Sequence, residues 1–120
     1  MPKLIASAEP IDAVGNKHKI CDEYVGVVNT GDEAVSITLM HSPPGWEGVA
    51  HYSKFHEYAV VLKGLLQVHH GGGTIDVSVG QAVHIQPNEE VILATPGDDG
   101  CEYLSVCLPA YSRAGVHFLK

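Results

Sequence analysis

The chain has 120 residues, enough for one domain with a modest core and too few for two. Hydrophobic residues make up 45% of it and charged residues 18%, the balance of a folded globular protein rather than a disordered one. Fourteen acids against seven Lys and Arg give a net charge of -7 with His neutral, and no basic stripe interrupts it, so the sequence excludes nucleic acid as an expected partner.

The N-terminus, Met1 to Glu9, lacks the apolar stretch of a signal peptide. The longest apolar runs, such as Ala59 to Leu62 and Val91 to Ala94, fall far short of the ~20 residues a spanning helix needs, so no membrane association is expected. The chain then reads as strands nearly throughout: Ile20 to Val28, Val35 to His41, Tyr58 to Leu62, Leu65 to His69, Thr74 to Val79, Gln81 to Gln86, Val91 to Thr95 and Glu102 to Leu108. Turn chemistry separates them at Asn29-Thr-Gly31-Asp, Pro43-Pro-Gly45, Gly71 to Gly73, Pro87-Asn88 and Pro96 to Gly100. No stretch carries a sustained helical period. The ending Val116-His-Phe118-Leu offers a further edge strand that can pair or swap.

Many short strands at spacings of about ten residues indicate an all-β sandwich or barrel. An immunoglobulin-type sandwich has its Cys, Trp, Cys order in Cys21, Trp46 and Cys101, but Trp46 falls in a Pro-Pro-Gly-Trp turn, which favours a jelly roll. The three cysteines, Cys21, Cys101 and Cys107, cannot all pair within the chain and form no Cys-x-x-Cys. They read as reduced thiols in a cytoplasmic protein.

The informative stretch runs from Gly45 to Gly64. It resembles the first motif of the cupin family, a Gly followed after five residues by His-x-His, then a Glu, then a Gly after six more. Gly45, His51, Glu57 and Gly64 fall on that spacing, and Ser53 stands where the second His belongs. In the family's second motif Gly80 fits, whereas Gln86, Asn88 and Val91 replace its Pro, Gly and His. The ending Val106 to Ser112, then Val116-His117, is similar to the tail of small single-domain bacterial cupins. The resemblance implies an all-β double-stranded β-helix, or jelly-roll barrel, over residues 1–120, with its core at about 20–110. It also implies a homodimer associating through its sheets.

In that family the motif coordinates a metal. Alternate strand residues point to one side, so His-x-His places two imidazoles inside the barrel, and the Glu and third His complete a site for a divalent transition metal. Only His51 and Glu57 remain here, and two ligands rarely hold such a cation against water. A metal, if bound at all, is therefore expected to be held weakly by His51 and Glu57, unless His41, His84 or a Cys supplies another donor. No cofactor is otherwise implied.

His51 and Glu57 are the candidate catalytic residues, as a His-carboxylate pair in which Glu57 orients and charges His51 for acid-base work. The competing view is a satisfied polar pair left from a lost metal site, and the cost of burying two unused polar groups weighs against it. His41, Trp46, Ser53, His84 and Tyr103 are candidate ligand contacts, each with a structural alternative. His41 shares a parity with Val35, Ile37 and Leu39, which marks that face as buried and favours a core histidine. His84 can face the cavity or solvent, and Trp46 can stack on a ligand or simply cap the barrel. Cys101, Tyr103, Ser105 and Cys107 form the more polar face of the last long strand, lining either a pocket or an interface. His56 points away from Glu57, and His69-His70 is exposed. Ala59, Val91 and Leu93 fall inward, giving the rest of the wall an apolar character.

The expected function is a small-molecule-binding cupin whose partner is a small organic molecule. If it is an enzyme, metal-free proton transfer of isomerase, lyase or cyclase type fits the residues. The alternatives are a metal-dependent, dioxygenase-like cupin with a non-standard ligand set, a non-enzymatic sensor or accessory module, and a purely structural dimer.

Overall fold

The computed structural model describes residues 1–119 and is almost entirely β. The strands are β1 (Glu9–Ile11), β2 (Ile20–Val25), β3 (Ser36–Ser42), β4 (Trp46–Glu47), β5 (His51–Ser53), β6 (His56–His70), β7 (Gly73–Ser78), β8 (Ala82–Ile85), β9 (Ile92–Thr95), β10 (Cys101–Leu108) and β11 (Val116–Phe118). The helical content of the described residues is one 3-10 turn at Arg113–Gly115. None of it is long and apolar enough to cross a membrane.

One nine-stranded sheet runs β1-β2-β3-β10-β6-β9-β4, with β7 and β8 also paired to β6. All of its pairings are antiparallel, and it curls into a jelly-roll barrel. The terminal strand expected from Val116-His-Phe118 forms and pairs with β5, setting Phe118 opposite His51. The short strands β1, β4 and β5 were not legible as separate runs, because two or three residues carry no period.

Strand β6 organises the barrel. Its first half pairs with β10 and β8, and its second half with β7 and β9. The two runs Tyr58 to Leu62 and Leu65 to His69 are thus one bent strand rather than two. The register against β10 slips at the bend, where Val61 faces Tyr103 and Lys63 faces Glu102, leaving Leu62 bulged. The inward parity changes there, from Ala59 and Val61 before the bulge to Leu66 and Val68 after it. Gly64 sits at the corner with φ +81, and a Cβ there would run into the carbonyl oxygen of Gly100.

The core gathers Trp46, Ala59, Val61, Leu66, Val68, Val77, Ile85, Val91, Leu93, Cys101 and Tyr103. Ala59, Val91 and Leu93 are buried, as their parity predicts. Strand β3 reverses the expectation made for it. Its buried face is the polar set Ser36, Thr38 and Ser42, while Ile37, Leu39 and His41 are only half-buried on the outer side. Hydropathy alone assigns the apolar face inward. Here the interior is a lined cavity that accepts small polar side chains.

Candidate functional site

A cavity of about 110 Å³ opens inside the barrel. Its apolar wall includes Met40, Trp46, Phe55 and Leu93, and its polar groups come from several strands and two connecting segments. From β6 comes Glu57, from β10 Tyr103, Ser105 and Cys107, from β5 His51 and Ser53, and from β3 Thr38. The alternation of β10 delivers its set, because Cys101, Tyr103, Ser105 and Cys107 are all buried while Glu102, Leu104 and Val106 are half-buried on the other side.

Ser105 Oγ donates to Glu57 Oε2 at 2.6 Å, a charge-assisted bond to a carboxylate that faces the cavity. No other hydrogen bond to the Glu57 side chain forms among the described residues, so Oε1 has no protein donor. The His51 ring bonds through Nδ1 to the Val49 carbonyl at 2.9 Å. A carbonyl only accepts, so Nδ1 carries the proton and Nε2 of the neutral ring keeps a free lone pair. His51 and Glu57 therefore share the cavity without pairing to each other. The single His-carboxylate contact within 4.0 Å among the described residues is His41 Nδ1 to Glu102 Oε2, at 3.6 Å. The expected orientation of His51 by Glu57 is corrected accordingly: Val49 orients the imidazole, and Ser105 holds the carboxylate.

Trp46, Ser53 and Tyr103 line the cavity, and all three are buried. His41 and His84 do not reach it. His41 lies on the outer parity of β3, beside Glu102. His84 is exposed on β8, stacked on Tyr58 with ring centroids 4.3 Å apart and bonded to His56 at 2.9 Å. The parity of β8 decides this, since Ile85 takes the buried position beside it.

The residue missed in the sequence is Lys19. It is 8% exposed, lines the cavity, and donates from Nζ to Tyr103 Oη at 2.5 Å. Its Nζ also lies 4.0 Å from the centroid of the Trp46 ring. Burial lowers the pKa of this ammonium, against the opposing pull of Cys21, Glu57 and Cys101. The available signal was parity, because Lys19 shares its face with the buried Cys21 and Glu23. Burial raises the Tyr103 phenol, with Glu57 adding to the effect, so it stays protonated. Burial, again helped by Glu57, pushes the Cys107 thiol up to about 12, which leaves it a poor nucleophile.

The donor set does not fit a resident metal. Ser53 and Val91 stand at two of the family's ligand positions, and Val91 faces His51 in a backbone bridge where the third imidazole would project. No group of three His, Cys, Asp or Glu suited to a metal ion forms among the described residues.

Comparison with known proteins agrees with this architecture. The cupin-domain family model matches residues 38–107, more than half of the chain, and the chain belongs to the cupin family. Among solved structures, the polyketide cyclase RemF of Streptomyces resistomycificus superposes with a TM-score of 0.78 at 18% identity, over 100% of this chain and 86% of its own. Oxalate decarboxylase of Bacillus subtilis gives 0.76 at 20% identity, over 96% of this chain and 31% of its own. The ethanolamine utilization protein Q of Salmonella typhimurium gives 0.63 at 21% identity, over 79% and 72%. At such identities these likenesses show the fold alone. A curated relative from Myxococcus xanthus (strain DK1622), named as endoribonuclease YbeY, is 32% identical over 99 residues. These cover 82% of this chain, which spans only 34% of that relative's length.

Proposed function

We propose that the barrel binds a small, largely apolar organic molecule bearing one polar group, and moves a proton on it. The observation that carries this is the Glu57 carboxylate, anchored through one oxygen by Ser105 and open to an otherwise mostly apolar cavity through the other. A carboxylate in such surroundings is poorly solvated, and its free oxygen serves as a proton acceptor for a bound ligand. His51 offers a second proton-handling atom, Nε2, held in one tautomer by Val49. With the Tyr103 phenol protonated, the cavity holds a base and a hydrogen-bond donor together.

Isomerisation, elimination and cyclisation are the reaction classes these groups serve. The polyketide cyclase likeness, which extends over the whole chain, is consistent with the last. A metal-dependent mechanism is not favoured, because the donors present do not form a ligand set. Nor is RNA cleavage, since the net charge is -7 and the cavity is mostly apolar. Three free, buried thiols fit a reducing, cytoplasmic setting.

Proton transfer is tested by incubating the protein with small ketones in deuterated water. Incorporation of deuterium beside the carbonyl, abolished by Glu57→Gln, is the expected result. If incorporation is no faster than in buffer while the ketones still shift the NMR signals of cavity residues, a binding module replaces the enzyme.

A further inference from the structure

A second chemistry lies on the wall of the cavity formed by Lys19, Tyr103 and Trp46. We propose that Lys19 captures carbonyl compounds covalently, its Nζ forming an imine with a small aldehyde or ketone that enters the barrel. This rests on the barrel being a small-molecule pocket, but not on Glu57 moving protons.

The placement meets what imine chemistry requires of an amine. Lys19 lines the cavity, so its nitrogen is within reach of a molecule held there. It is buried and touches no carboxylate within ion-pairing distance, because the one side-chain ion pair among the described residues involves His41 and Glu102. Its polar partner is the neutral Tyr103 hydroxyl. A buried ammonium whose direct contacts are a phenol and an aromatic face is poorly compensated, and burial lowers its pKa despite the opposing pull of Cys21, Glu57 and Cys101. That raises the fraction present as free amine, the form that attacks a carbonyl. Lys19 donates its N–H to the Tyr103 oxygen, which leaves the nitrogen lone pair unused and the phenol hydrogen available to another acceptor.

The step balances without an oxidant or reductant. The Nζ lone pair adds to the carbonyl carbon, the former carbonyl oxygen takes a proton from the Tyr103 phenol, and the nitrogen gives up a proton in return. The carbinolamine hydroxyl then takes up a proton and leaves as water, giving the cationic iminium. This returns that proton to become the imine, so amine and carbonyl become imine and water overall. Trp46, 4.0 Å from Nζ, offers an aromatic face to the resulting cationic iminium.

The test is reductive trapping on the intact folded protein. Propanal and sodium cyanoborohydride are added at pH about 7, where exposed lysines, with ordinary pKa about 10.4, are almost wholly protonated. Propylation at each lysine is then followed by peptide mapping over time. Lys19 is expected to be modified at least about tenfold faster than the exposed Lys3 and Lys63, and this preference vanishes in urea. Glu57→Gln removes a charge that favours the ammonium, so the preference for Lys19 persists or grows in that variant while deuterium exchange is lost, which separates the two results. Tyr103→Phe slows the trapping severalfold. Modification of Lys19 no faster than of Lys3 and Lys63 overturns the proposal, and because that rate is read in the natural protein, the outcome does not depend on whether any variant folds.

Discussion

Ser105 on β10 and Glu57 on β6 meet at 2.6 Å, although 48 residues separate them in the chain. The contact is diagonal: Ser105 stands opposite Ala59 in the ladder, and Glu57 opposite Cys107. The hydroxyl thereby fixes the direction in which the carboxylate looks into the cavity.

Replacing Ser105 by Ala removes the donor and leaves the carboxylate oxygen unpartnered. The expected loss of folding stability is about 1–3 kcal/mol, measured by urea denaturation. Glu57→Gln retains an acceptor for Ser105 and is expected to cost less stability than Ser105→Ala. It nevertheless loses the proton-transfer activity. Equal stability losses in the two variants would show that a neutral acceptor does not preserve what the Ser105–Glu57 bond contributes.

The thiols give an independent reading of the interior. Burial raises Cys101 to about 11 and Cys107 to about 12, against an ordinary value of 9.0. At pH 8 a thiol with a pKa of about 12 is ionised only to the extent of about 1 part in 10⁴. Iodoacetamide is therefore expected to leave Cys107 unmodified in the native protein and to modify it promptly in urea. Mass spectrometry of the native reaction checks this, and rapid native alkylation of Cys107 would mean that the barrel opens readily.

How far the sequence carries can be judged residue by residue. Gly45 and Gly64 were readable from the motif spacing, and their positive φ is the physical reason glycine stands there. The alternation of Cys101 to Leu108 separated the two faces of β10 but left open whether the more polar one lined a pocket or an interface. The same reasoning failed on β3, since it equates apolar with inward, whereas the small polar side chains Ser36, Thr38 and Ser42 are the ones this strand buries. His84 was undecidable because its neighbours on the same parity, Ala82 and Gln86, suit either face. Lys19 escaped notice for a different reason. A lysine before a strand is ordinarily a solvated charge, and only the fold brings Trp46 and Tyr103 around it.

Lys19 should leave a signature in the pH dependence of stability. Its folded-state pKa lies below the ordinary 10.5 because burial disfavours the ammonium. Between those two values the unfolded chain binds more protons than the folded one, so this group makes stability rise with pH. Below the folded-state pKa the cost of burying the charge is present in full. Lys19→Met removes the titrating group while roughly keeping the volume. The stability difference, natural protein minus Lys19→Met, should thus increase as pH is raised toward 10.5, as followed by urea denaturation at several pH values. A difference independent of pH across that range would show that Lys19 titrates alike in both states.

The outer face of the sheet supports the last prediction, that the chain pairs with a second copy of itself. Across β3, β10 and β6 the ladder sets Leu39, Leu104 and Val60 side by side, and next to them Ile37, Val106 and Tyr58. Leu62 and Leu108 extend this face and are 44% and 40% exposed. A patch of eight apolar side chains on a regular sheet is more than a monomer ordinarily leaves in water. A two-fold axis through its centre would lay the same strands of two copies against each other, burying the patch without unpaired charge at its middle. The charged residues Glu102, His41 and Lys63 lie together at one end of the ladder, where they would form a solvated rim. Leu104→Lys places a charge at the centre of the patch and leaves the cavity side of β10 untouched. Sedimentation analysis is expected to show a dimer for the natural chain and a monomer for Leu104→Lys, with the circular dichroism of the fold unchanged. A natural chain that sediments as a monomer at high micromolar concentration would refute the pairing.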